Sequence, residues 1–301
     1  MRDQGSAYEL KHLVERFRKL AKGKDNALRE LVFAELPDMV YNSNAIENSS
    51  LSLEDTESIL MQGIVPSESV IREVYEVKNL AQVTERLYAH SEEPLSTTLL
   101  LEMHALLLQN INPEWAGRFR HGDEWVRVGA HVGANPDFVS GLVSELLNQY
   151  NAWENTFTLP DGNSLLAHVA HFHAEFETIH PFRDGNGRMG RALLNHQLHR
   201  FGLPPIIVRN KGKEKDYYPL FARYEQSGDF SGFTKLFTTL LQESLHKRIA
   251  QLTTRRIISV SDWARQNDIR PNVVLNKAKR QTLPAFRLRG KWMIDADASK
   301  T

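Results

Sequence analysis

Residues 180–191 read HPFRDGNGRMGR and combine more reactive and phosphate-binding side chains than any other stretch of this chain. Read by spacing alone, residues 185–190 also form GxGxxG, the pattern of a dinucleotide-binding turn. That turn requires a buried strand running directly into the first glycine. The preceding segment, SLLAHVAHFHAEFETI (164–179), instead has the three- and four-residue apolar spacing of a helix. The context therefore argues against a dinucleotide-binding turn.

The same stretch has the composition of an anion-binding loop. Gly185 and Gly187 allow dihedral angles that turn successive N–H groups into one concavity. The loop leads into the N-terminus of a predicted helix, where free amides and the helix dipole favour phosphate. Arg188 and Arg191 are three apart on that helix and can each make forked bonds to phosphate oxygens. The sequence therefore predicts a phosphate site.

Two further side chains give this site a predicted chemistry. Asp184 precedes the first glycine, where a carboxylate can hold Mg²⁺ together with phosphates. His180 lies five positions before Gly185, and a neutral imidazole there could take a proton from a hydroxyl group. One short stretch thus supplies a base, a metal ligand, backbone amides that can bind phosphate and two arginines that can bind its oxygens.

The pattern His-Pro-Phe-x-Asp-Gly-Asn-Gly-Arg-x-x-Arg resembles the signature of the Fic (filamentation induced by cAMP) family at every defining position. The resemblance extends from about residue 30 to residue 245. It implies a mainly α-helical domain with a β-hairpin flap and protein adenylyltransferase activity, the transfer of AMP from ATP to a protein Ser, Thr or Tyr hydroxyl. Pro181 and Phe182 are expected to be core anchors.

The resemblance also implies roles for the residues of the motif. His180 would deprotonate the target hydroxyl, and Asp184 would bind Mg²⁺. Asn186, with the Gly185 and Gly187 amides, would hold the α-phosphate, and Arg188 and Arg191 would grip the β- and γ-phosphates. The predicted ATP-binding set in the motif is Gly185, Asn186, Gly187, Arg188, Met189, Gly190 and Arg191.

Two other segments are similar to nucleotide-binding parts of the family. We expect the two halves 118–120 and 124–128 to flank the turn 121–123, and residues 118–133 to form the flap, whose edge would align a target segment by strand addition. Four residues of the flap would cover the nucleotide: Val128, Gly129, Ala130 and His131. Tyr217 and Tyr218 match a tyrosine pair of the adenine pocket. Relatives often place an asparagine near the base, where this chain has Glu225 and Gln226, so the donor nucleotide stays open.

An inhibitory segment is predicted upstream, in YNSNAIENSS (41–50). Ser43 and Glu47 are four apart and would share one face of a helix at about 42–49. With Asn48 they resemble the family's inhibitory pattern Ser/Thr-x-x-x-Glu-Gly/Asn. The resemblance implies that Glu47 pairs with Arg191 and blocks productive ATP binding. In some relatives the same glutamate also positions a water molecule that removes AMP from a modified protein, and the sequence does not separate the two activities.

The C-terminal part of the chain has a different character. The whole chain of 301 residues carries no net charge, but residues 253–301 contain eleven Lys and Arg against four Asp. Ser261 is expected to cap one helix and Pro271 to open a second, before a hairpin about Gly290. The segment resembles the winged helix-turn-helix of excisionase-type proteins and could dock either DNA or a protein. The predicted phosphate contacts are Lys277, Lys279, Arg280, Arg287 and Arg289.

The remaining composition limits other functions. The chain has no cysteine and therefore neither disulfides nor a thiolate zinc site. No apolar run has the roughly 18 residues of a membrane helix, and the N-terminus is too polar for a signal peptide, so we expect a cytoplasmic location. His168, His171 and His173 could bind a metal but more often pack or face solvent at this spacing.

The predicted organisation has three parts. Residues 1–100 form an N-terminal helical region, residues 101–250 the catalytic core, and residues 253–301 the winged helix-turn-helix-like domain. The predicted function is autoinhibited protein adenylylation with ATP and Mg²⁺, with a homodimer as one option. Three alternatives stay open: removal of AMP, a different nucleotide donor, and a DNA-binding regulator.

Overall fold

The computed structural model describes residues 3–129, 131–156 and 162–299, and it confirms a mainly α-helical fold. The helices of the main body are α1 (Asp3–Ala21), α2 (Asp25–Phe33), α3 (Leu36–Ile46), α4 (Leu53–Glu57), α5 (Ile71–Ala89), α6 (Thr97–Leu107), α7 (Val139–Thr156), α8 (Gly162–Ile179), α9 (Asn186–Arg200), α10 (Lys213–Asp216), α11 (Tyr218–Ser227) and α12 (Ser231–Thr253). A π-helical turn (Ser58–Gln62) extends α4, and a 3₁₀ turn (Pro136–Phe138) precedes α7.

Several helix ends follow from local sequence. Ser52 caps α4 in a capping box with Asp55. Gly202, two residues after α9, adopts a φ of +65° that favours glycine, and the chain turns there as predicted. The predicted inhibitory helix at about 42–49 is shifted, because α3 begins at Leu36 and ends at Ile46. Glu47 is therefore the residue that caps α3, not part of its interior.

Two apolar clusters meet along α8 and α9. Phe172, Phe176 and Ile179 of α8 pack into one cluster, with α5, α6 and α7. Leu165 and Val169 of the same helix pack into the other, with α1 and α12. Because residues of both α8 and α9 pack into both clusters, the loop that joins these helices is attached to two helices of the interior.

The predicted flap hairpin forms later in the chain than expected. Its strands are β1 (Arg127–Val128) and β2 (His131–Val132), so residues 118–120 and the turn 121–123 take no part. Arg118 instead pairs with Glu124 at 2.7 Å, and the Glu124 carboxylate accepts the amide of His121. These side-chain contacts close 118–124 into a loop, which alternation in the sequence does not reveal.

The C-terminal residues form a separate small apolar cluster around Trp263, with β3 (Ile257–Ser259), α13 (Val260–Gln266), α14 (Pro271–Lys279), β4 (Ala285–Leu288) and β5 (Lys291–Asp295). The antiparallel strand order is β3-β5-β4. Helix α14 begins at Pro271 as predicted, but Ser259 caps α13, and Ser261 lies inside that helix. The assignment as a DNA-binding winged helix stays a prediction.

Candidate active site

The loop between α8 and α9 is held by side chains that bind its backbone. The Asn186 amide donates to the Phe182 carbonyl and accepts from the Phe182 N–H, both at 2.8 Å. Arg120, 1% exposed, donates to the carbonyls of Ile179 and His180 at 2.9 and 2.7 Å and also to that of Ala134. The loop is therefore rigid because most of its carbonyl groups have fixed donors.

His104 supports the same loop from α6. Its ring stacks on Phe182 with 3.6 Å between centroids, its Nδ1 accepts the Gly117 amide, and its Nε2 donates to the Asp184 carbonyl at 3.0 Å. Burial lowers the pKa of His104 to about 4, which fits this neutral tautomer. Phe182 and Pro181 are buried core anchors, as predicted.

His180 has an unusual backbone and a neutral ring. Its φ of +52° is uncommon for a residue with a side chain, and such conformations concentrate at functional sites. Nδ1 lies 3.2 Å from the carbonyl of Glu177, so a proton on Nδ1 leaves Nε2 as the basic nitrogen. Burial lowers the pKa of His180 to about 4, with further lowering by His131 and Arg120. The imidazole is thus unprotonated at neutral pH.

The first turn of α9 forms the predicted anion site. Gly185 precedes it with a φ of +85°, which a residue with a side chain rarely adopts. The first amides of α9 have no acceptor within the helix and face the same side. A Cβ at Gly187 would lie 2.3 Å from Oε1 of Glu47. A carboxylate oxygen therefore lies against Gly187, in the first turn of α9.

Arg191 is held by the end of α3. Its Nη2 donates to Oε1 of Glu47 at 2.7 Å and to the Ser43 carbonyl at 2.9 Å, and its Nε donates to the Ser43 hydroxyl at 2.9 Å. Burial works against the charge of Arg191, but several neighbouring groups, with the Glu47 carboxylate first among them, together outweigh burial and raise the pKa of the guanidinium. The predicted pair between Glu47 and Arg191 is present, although Glu47 lies one residue beyond the helix.

Lys213 and Tyr218 bind the backbone at the end of the predicted inhibitory segment. Lys213 Nζ donates to the carbonyls of Ala45 and Ile46 and to Asn48 Oδ1, at 3.2, 2.8 and 3.2 Å. The Tyr218 hydroxyl donates to the Ile46 carbonyl at 2.8 Å. Lys213 and Tyr218 thus both donate to the Ile46 carbonyl, which lies at the helix end, where carbonyl groups lack a partner within the helix. They also fix the direction in which Glu47 leaves the helix.

Asp184 and Arg188 contact each other and α5. Asp184 accepts from Arg188 at 2.9 Å and pairs with Arg72 at 2.6 Å, while Arg188 also lies 3.2 Å from Glu76. Arg188 is 3% exposed, so it does not point into open space as a phosphate clamp would. The expectation that Arg188 and Arg191 both face the phosphates therefore does not describe this conformation.

A buried polar group lies behind Arg191. Glu177 is 8% exposed, and a Cβ at Gly190 would lie 2.2 Å from its Oε1, so only glycine admits the carboxyl there. Burial raises the pKa of Glu177 to about 8, Arg191 lowers it, and Glu47 raises it. Tyr217 bonds His173 Nε2 at 2.7 Å beside this group. None of these contacts was predicted, because Glu177 looks like any polar helix residue in the sequence.

The flap strand β2 contacts the site through His131. Nδ1 of His131 lies 3.1 Å from Glu225 Oε1, and Nε2 lies 3.0 Å from the Thr178 carbonyl. The His131 ring centroid is 6.5 Å from that of His180. Val128 is 56% exposed, and Gly129 has a φ of +60°, whereas Ala130 lies outside the described residues. The described part of the predicted flap therefore borders the predicted base.

Some predicted ATP-binding side chains are packed in the interior instead. Met189 is fully buried in the cluster around α5 and α6. The Asn186 side chain is 2% exposed, and both its Oδ1 and its Nδ2 bond Phe182, so we expect a phosphate to contact the backbone N–H of Asn186 and not its side chain. Tyr217 is 2% exposed and does not line an open adenine pocket, whereas Tyr218 is partly exposed. Sequence spacing alone does not show which face of a helix is covered.

The three histidines of α8 do not form a metal site. His173 bonds Tyr217, His168 stacks on Trp153 at 3.9 Å, and His171 packs edge-on against Phe230 at 5.2 Å. Within the described ranges, no group of three His, Asp or Glu side chains could hold a metal ion.

Residues 94–198 match the Fic/DOC family. The protein adenylyltransferase Fic of Drosophila virilis is 29% identical over 208 residues, which cover 68% of this chain and 41% of the fly protein. This chain thus spans about two fifths of the length of that curated relative. Fic-1 from C. elegans is 29% identical with a TM-score of 0.67 and covers 83% of this chain and 72% of that one. A Fic domain containing signaling protein from Bacteroides thetaiotaomicron, 22% identical, has a TM-score of 0.73 over 81% of this chain and 96% of its own, which shows a shared fold.

Proposed function

Because residues 94–198 of this chain belong to the Fic/DOC family, we propose that the protein is an adenylyltransferase that moves AMP from ATP to a hydroxyl of a protein, itself included. The relatives named protein adenylyltransferases support this proposal. The observation that carries it is the position of a neutral His180 in front of the glycine-lined start of α9. A base and an anion site at one loop match phosphoryl chemistry on a hydroxyl group.

In the proposed reaction, Nε2 of His180 takes the proton of a Ser, Thr or Tyr hydroxyl. The hydroxyl oxygen attacks the α-phosphorus, a new P–O bond forms, and the bond to the bridging oxygen breaks, so that pyrophosphate leaves. The amides at the start of α9 stabilise the charge that develops on the α-phosphate. Bound phosphates beside His180 raise its pKa, which makes the imidazole a stronger base in the complex than in the free protein.

We propose Mg²⁺ as the metal that accompanies ATP. Asp184 fits it as a single protein ligand, because its side chain is 25% exposed and Mg²⁺ on phosphates needs one or two carboxylates. Before Asp184 can bind Mg²⁺, its ion pair with the half-exposed Arg72 must break. Bound Mg²⁺ would neutralise charge on the phosphates, while Asp184 would orient it.

We propose that Glu47 inhibits transfer by pairing with Arg191 and by filling space beside Gly187 in the first turn of α9. The 2.7 Å contact with Arg191 and the collision that a Cβ at Gly187 would meet both support this role. An arginine paired with a carboxylate cannot orient the γ-phosphate, so ATP binds without reacting. Ser43 and Asn48 contribute to the same inhibition. Ser43 binds Arg191, and Asn48 sets the direction of the chain after Glu47.

Replacement of Glu47 tests both parts of the proposal. Glu47→Gly is expected to raise AMP incorporation from labelled ATP at least about tenfold, because Arg191 becomes free for phosphate; that factor corresponds to about 1.4 kcal/mol. Glu47→Gly with His180→Ala, which removes the base, is the matched control and should return transfer to background. Mass spectrometry after incubation with each nucleoside triphosphate identifies the transferred group. Equal labelling of wild type and Glu47→Gly would refute the inhibition, and labelling without His180 would refute the base.

Removal of AMP is a second candidate activity. The Glu47 carboxylate is 43% exposed and lies over the anion site, where it could activate a water molecule. Automodified Glu47→Gly protein is a ready substrate for this test. If wild-type chain releases AMP from it, the activity is reversible; if no AMP appears, this candidate is eliminated.

The partner surfaces are also proposals. The exposed apolar side chains of the flap support docking of a target segment there: Trp125, Val128 and Val132. A second group supports pairing with another copy of the chain, testable by sedimentation: Met61, Ile64, Val65, Val70 and Ile71. Among the described residues no helix is both long and apolar enough to cross a membrane, and a cytoplasmic location stays part of the proposal.

A role in DNA binding is the alternative for the C-terminal residues. Lys279 and Arg280 are exposed at the end of α14 and are available for phosphates. Arg287 instead lies 3.7 Å from Glu243 of α12 and stacks on Trp292, and Arg289 pairs with Glu57. Gel shifts at several salt concentrations test this alternative; the absence of any duplex binding at low salt would leave a protein partner.

A further inference from the structure

The proposed inhibition requires α3 to stay in one position, because Glu47 lies one residue past the end of this helix. On one side α3 is held by Arg191, which bonds Ser43 and Glu47. Because a helix turns about 100° per residue, Asp38 lies roughly 140° around α3 from Ser43. The contacts of Asp38 therefore hold a different side of the same helix.

Arg209, in the chain between α9 and α10, pairs with α3 on that second side. Its Nη1 donates to both carboxylate oxygens of Asp38, at 2.8 Å each, and the two side chains are only 12% and 9% exposed. A buried ion pair is stable only while both partners are present, because one charge left alone in the interior is costly. Without Arg209, the Asp38 carboxylate would gain most by moving towards water, and α3 would move with it.

The residues after Arg209 continue along α3. The Asn42 side chain donates from Nδ2 to Oδ1 of Asp38 at 2.8 Å, and its Oδ1 accepts the Asn210 N–H at 3.1 Å. At the end of the helix, Lys213 Nζ donates to the Ile46 carbonyl at 2.8 Å. The contacts thus follow α3 from its first turn to its last residue.

Arg209 is in turn supported by α12. Glu243 of α12 is 7% exposed, lies 3.9 Å from Nη2 of Arg209 and accepts the Arg287 N–H at 3.2 Å. Helix α12 packs against α1 and α8 in the interior of the main body. Arg209 therefore connects α3 to a part of the fold that does not depend on the position of Glu47.

We propose that residues 209–218 form a clamp that keeps α3 where Glu47 reaches Arg191, with Arg209 as its positioning residue. Arg209 acts through α3 and has no chemical part in the transfer of AMP. Opening of this clamp would relieve the inhibition without any change in Glu47 itself. The inference rests on the proposed function, since it assigns the clamp to inhibition of that activity.

Arg209→Gln in the full chain tests the clamp, because glutamine removes the charge that pairs with Asp38. We expect AMP incorporation from labelled ATP to rise about fivefold over wild type, which corresponds to about 1 kcal/mol. In a chain that already carries Glu47→Gly, the same replacement should not raise labelling further, because no inhibitory carboxylate remains to be released. Lys211→Gln, at an exposed position of the same segment, is the matched control and should label as wild type does.

Hydrogen exchange measures the hold on α3 without any AMP transfer. The amides of residues 42–48 should exchange about fivefold faster in Arg209→Gln than in wild type, because local opening of the helix end costs less free energy. Lys211→Gln should exchange at the wild-type rate. If no variant is labelled, Glu47→Gly included, the proposed activity has failed and the exchange result alone decides whether the clamp exists.

Where Glu47→Gly is labelled, the clamp requires both faster exchange and stronger labelling, so either change alone, or neither, would overturn it. A change in labelling that Arg209→Gln causes equally in the Glu47→Gly chain would show that Arg209 acts independently of Glu47, which would also overturn it. If Arg209→Gln does not fold, Asp38→Asn removes the charge of the other partner and should raise labelling and exchange in the same direction.

Discussion

Glu177 and His180 lie on the same turn at the end of α8, and burial shifts their pKa values in opposite directions. The pKa of Glu177 rises to about 8 and that of His180 falls to about 4, so both side chains are neutral at pH 7. A neutral histidine is the form that can accept a proton, and a neutral glutamic acid leaves Arg191 free to pair with an anion. Glu177 and His180 therefore do not compete for Arg191, in contrast to the Glu47 carboxylate.

Glu177 should make the stability of the protein depend on pH. Between its ordinary pKa of 4.5 and about 8, the folded chain keeps a proton that the unfolded chain releases, so the free energy of unfolding falls as pH rises. Glu177→Gln removes this effect. We expect urea denaturation to show no difference from wild type at pH 5 and a gain on the order of 2 kcal/mol at pH 8.

Glu85→Gln changes an exposed glutamate of α5 and is the matched control for this measurement. A constant difference between wild type and Glu177→Gln at the two pH values would mean that Glu177 ionises normally in the folded chain.

The proposed inhibitory segment shows how the end of a helix can hold a side chain against a distant partner. Glu47 caps α3, and Asn48 has a φ of +68°, a conformation that Gly and Asn adopt at low cost. This left-handed residue turns the chain away from the helix while Glu47 still reaches Arg191. The preference for Gly or Asn after the glutamate therefore has a backbone cause.

Asn48→Val should weaken inhibition, because a β-branched residue in this conformation costs about 1–2 kcal/mol. We expect AMP incorporation by the variant to rise about fivefold or more over wild type, but to stay below that of Glu47→Gly. Asn48→Gly, which keeps the conformation accessible, is the control and should label no more strongly than wild type. Strong labelling of Asn48→Gly would show that the Asn48 contact with Lys213 matters more than the backbone.

Across the whole molecule, the C-terminal residues are attached to the main body through buried polar groups. Gln281, with a φ of +55° and 1% exposure, accepts from Nδ1 of His246 on α12 and donates to the Ala278 and Ala285 carbonyls. The Arg287 amide donates to Glu243 at 3.2 Å. Because one edge of the small sheet faces α12, only part of its basic surface is open to a partner.

Gln281→Leu should loosen this attachment, since it leaves the His246 ring buried without an acceptor at a cost of about 1–3 kcal/mol. We expect a lower melting temperature and faster tryptic cleavage at the exposed Arg255 and Arg256, just before β3. Gln266→Leu, at an exposed position of α13, is the control and should digest at the wild-type rate. Identical digestion of both variants would mean that Gln281 does not hold the C-terminal residues in place.

Local sequence patterns were sufficient to predict most of the helices and to identify the loop that contains His180. Apolar spacing predicted α8, the glycines predicted the turn into α9, and the resemblance led from His180 back to Glu47. Local patterns did not predict the bounds of the flap strands or the residue that caps α13, because both depend on side-chain contacts that residue spacing does not reveal. Arg120 and His104 were missed for the same reason: each acts on loop carbonyl groups far away in sequence.

The sequence by itself determined which side chains the candidate site contains, since a histidine, an aspartate, glycines and arginines at fixed spacing come together where one loop enters a helix. Tertiary structure decided which of these groups are available. It buried Arg188 and Tyr217, made Glu177 and His180 neutral, and brought Glu47 against Arg191 across 144 positions. Burial and charge act through space, so the state of each group depends on neighbours that its own stretch of sequence does not contain.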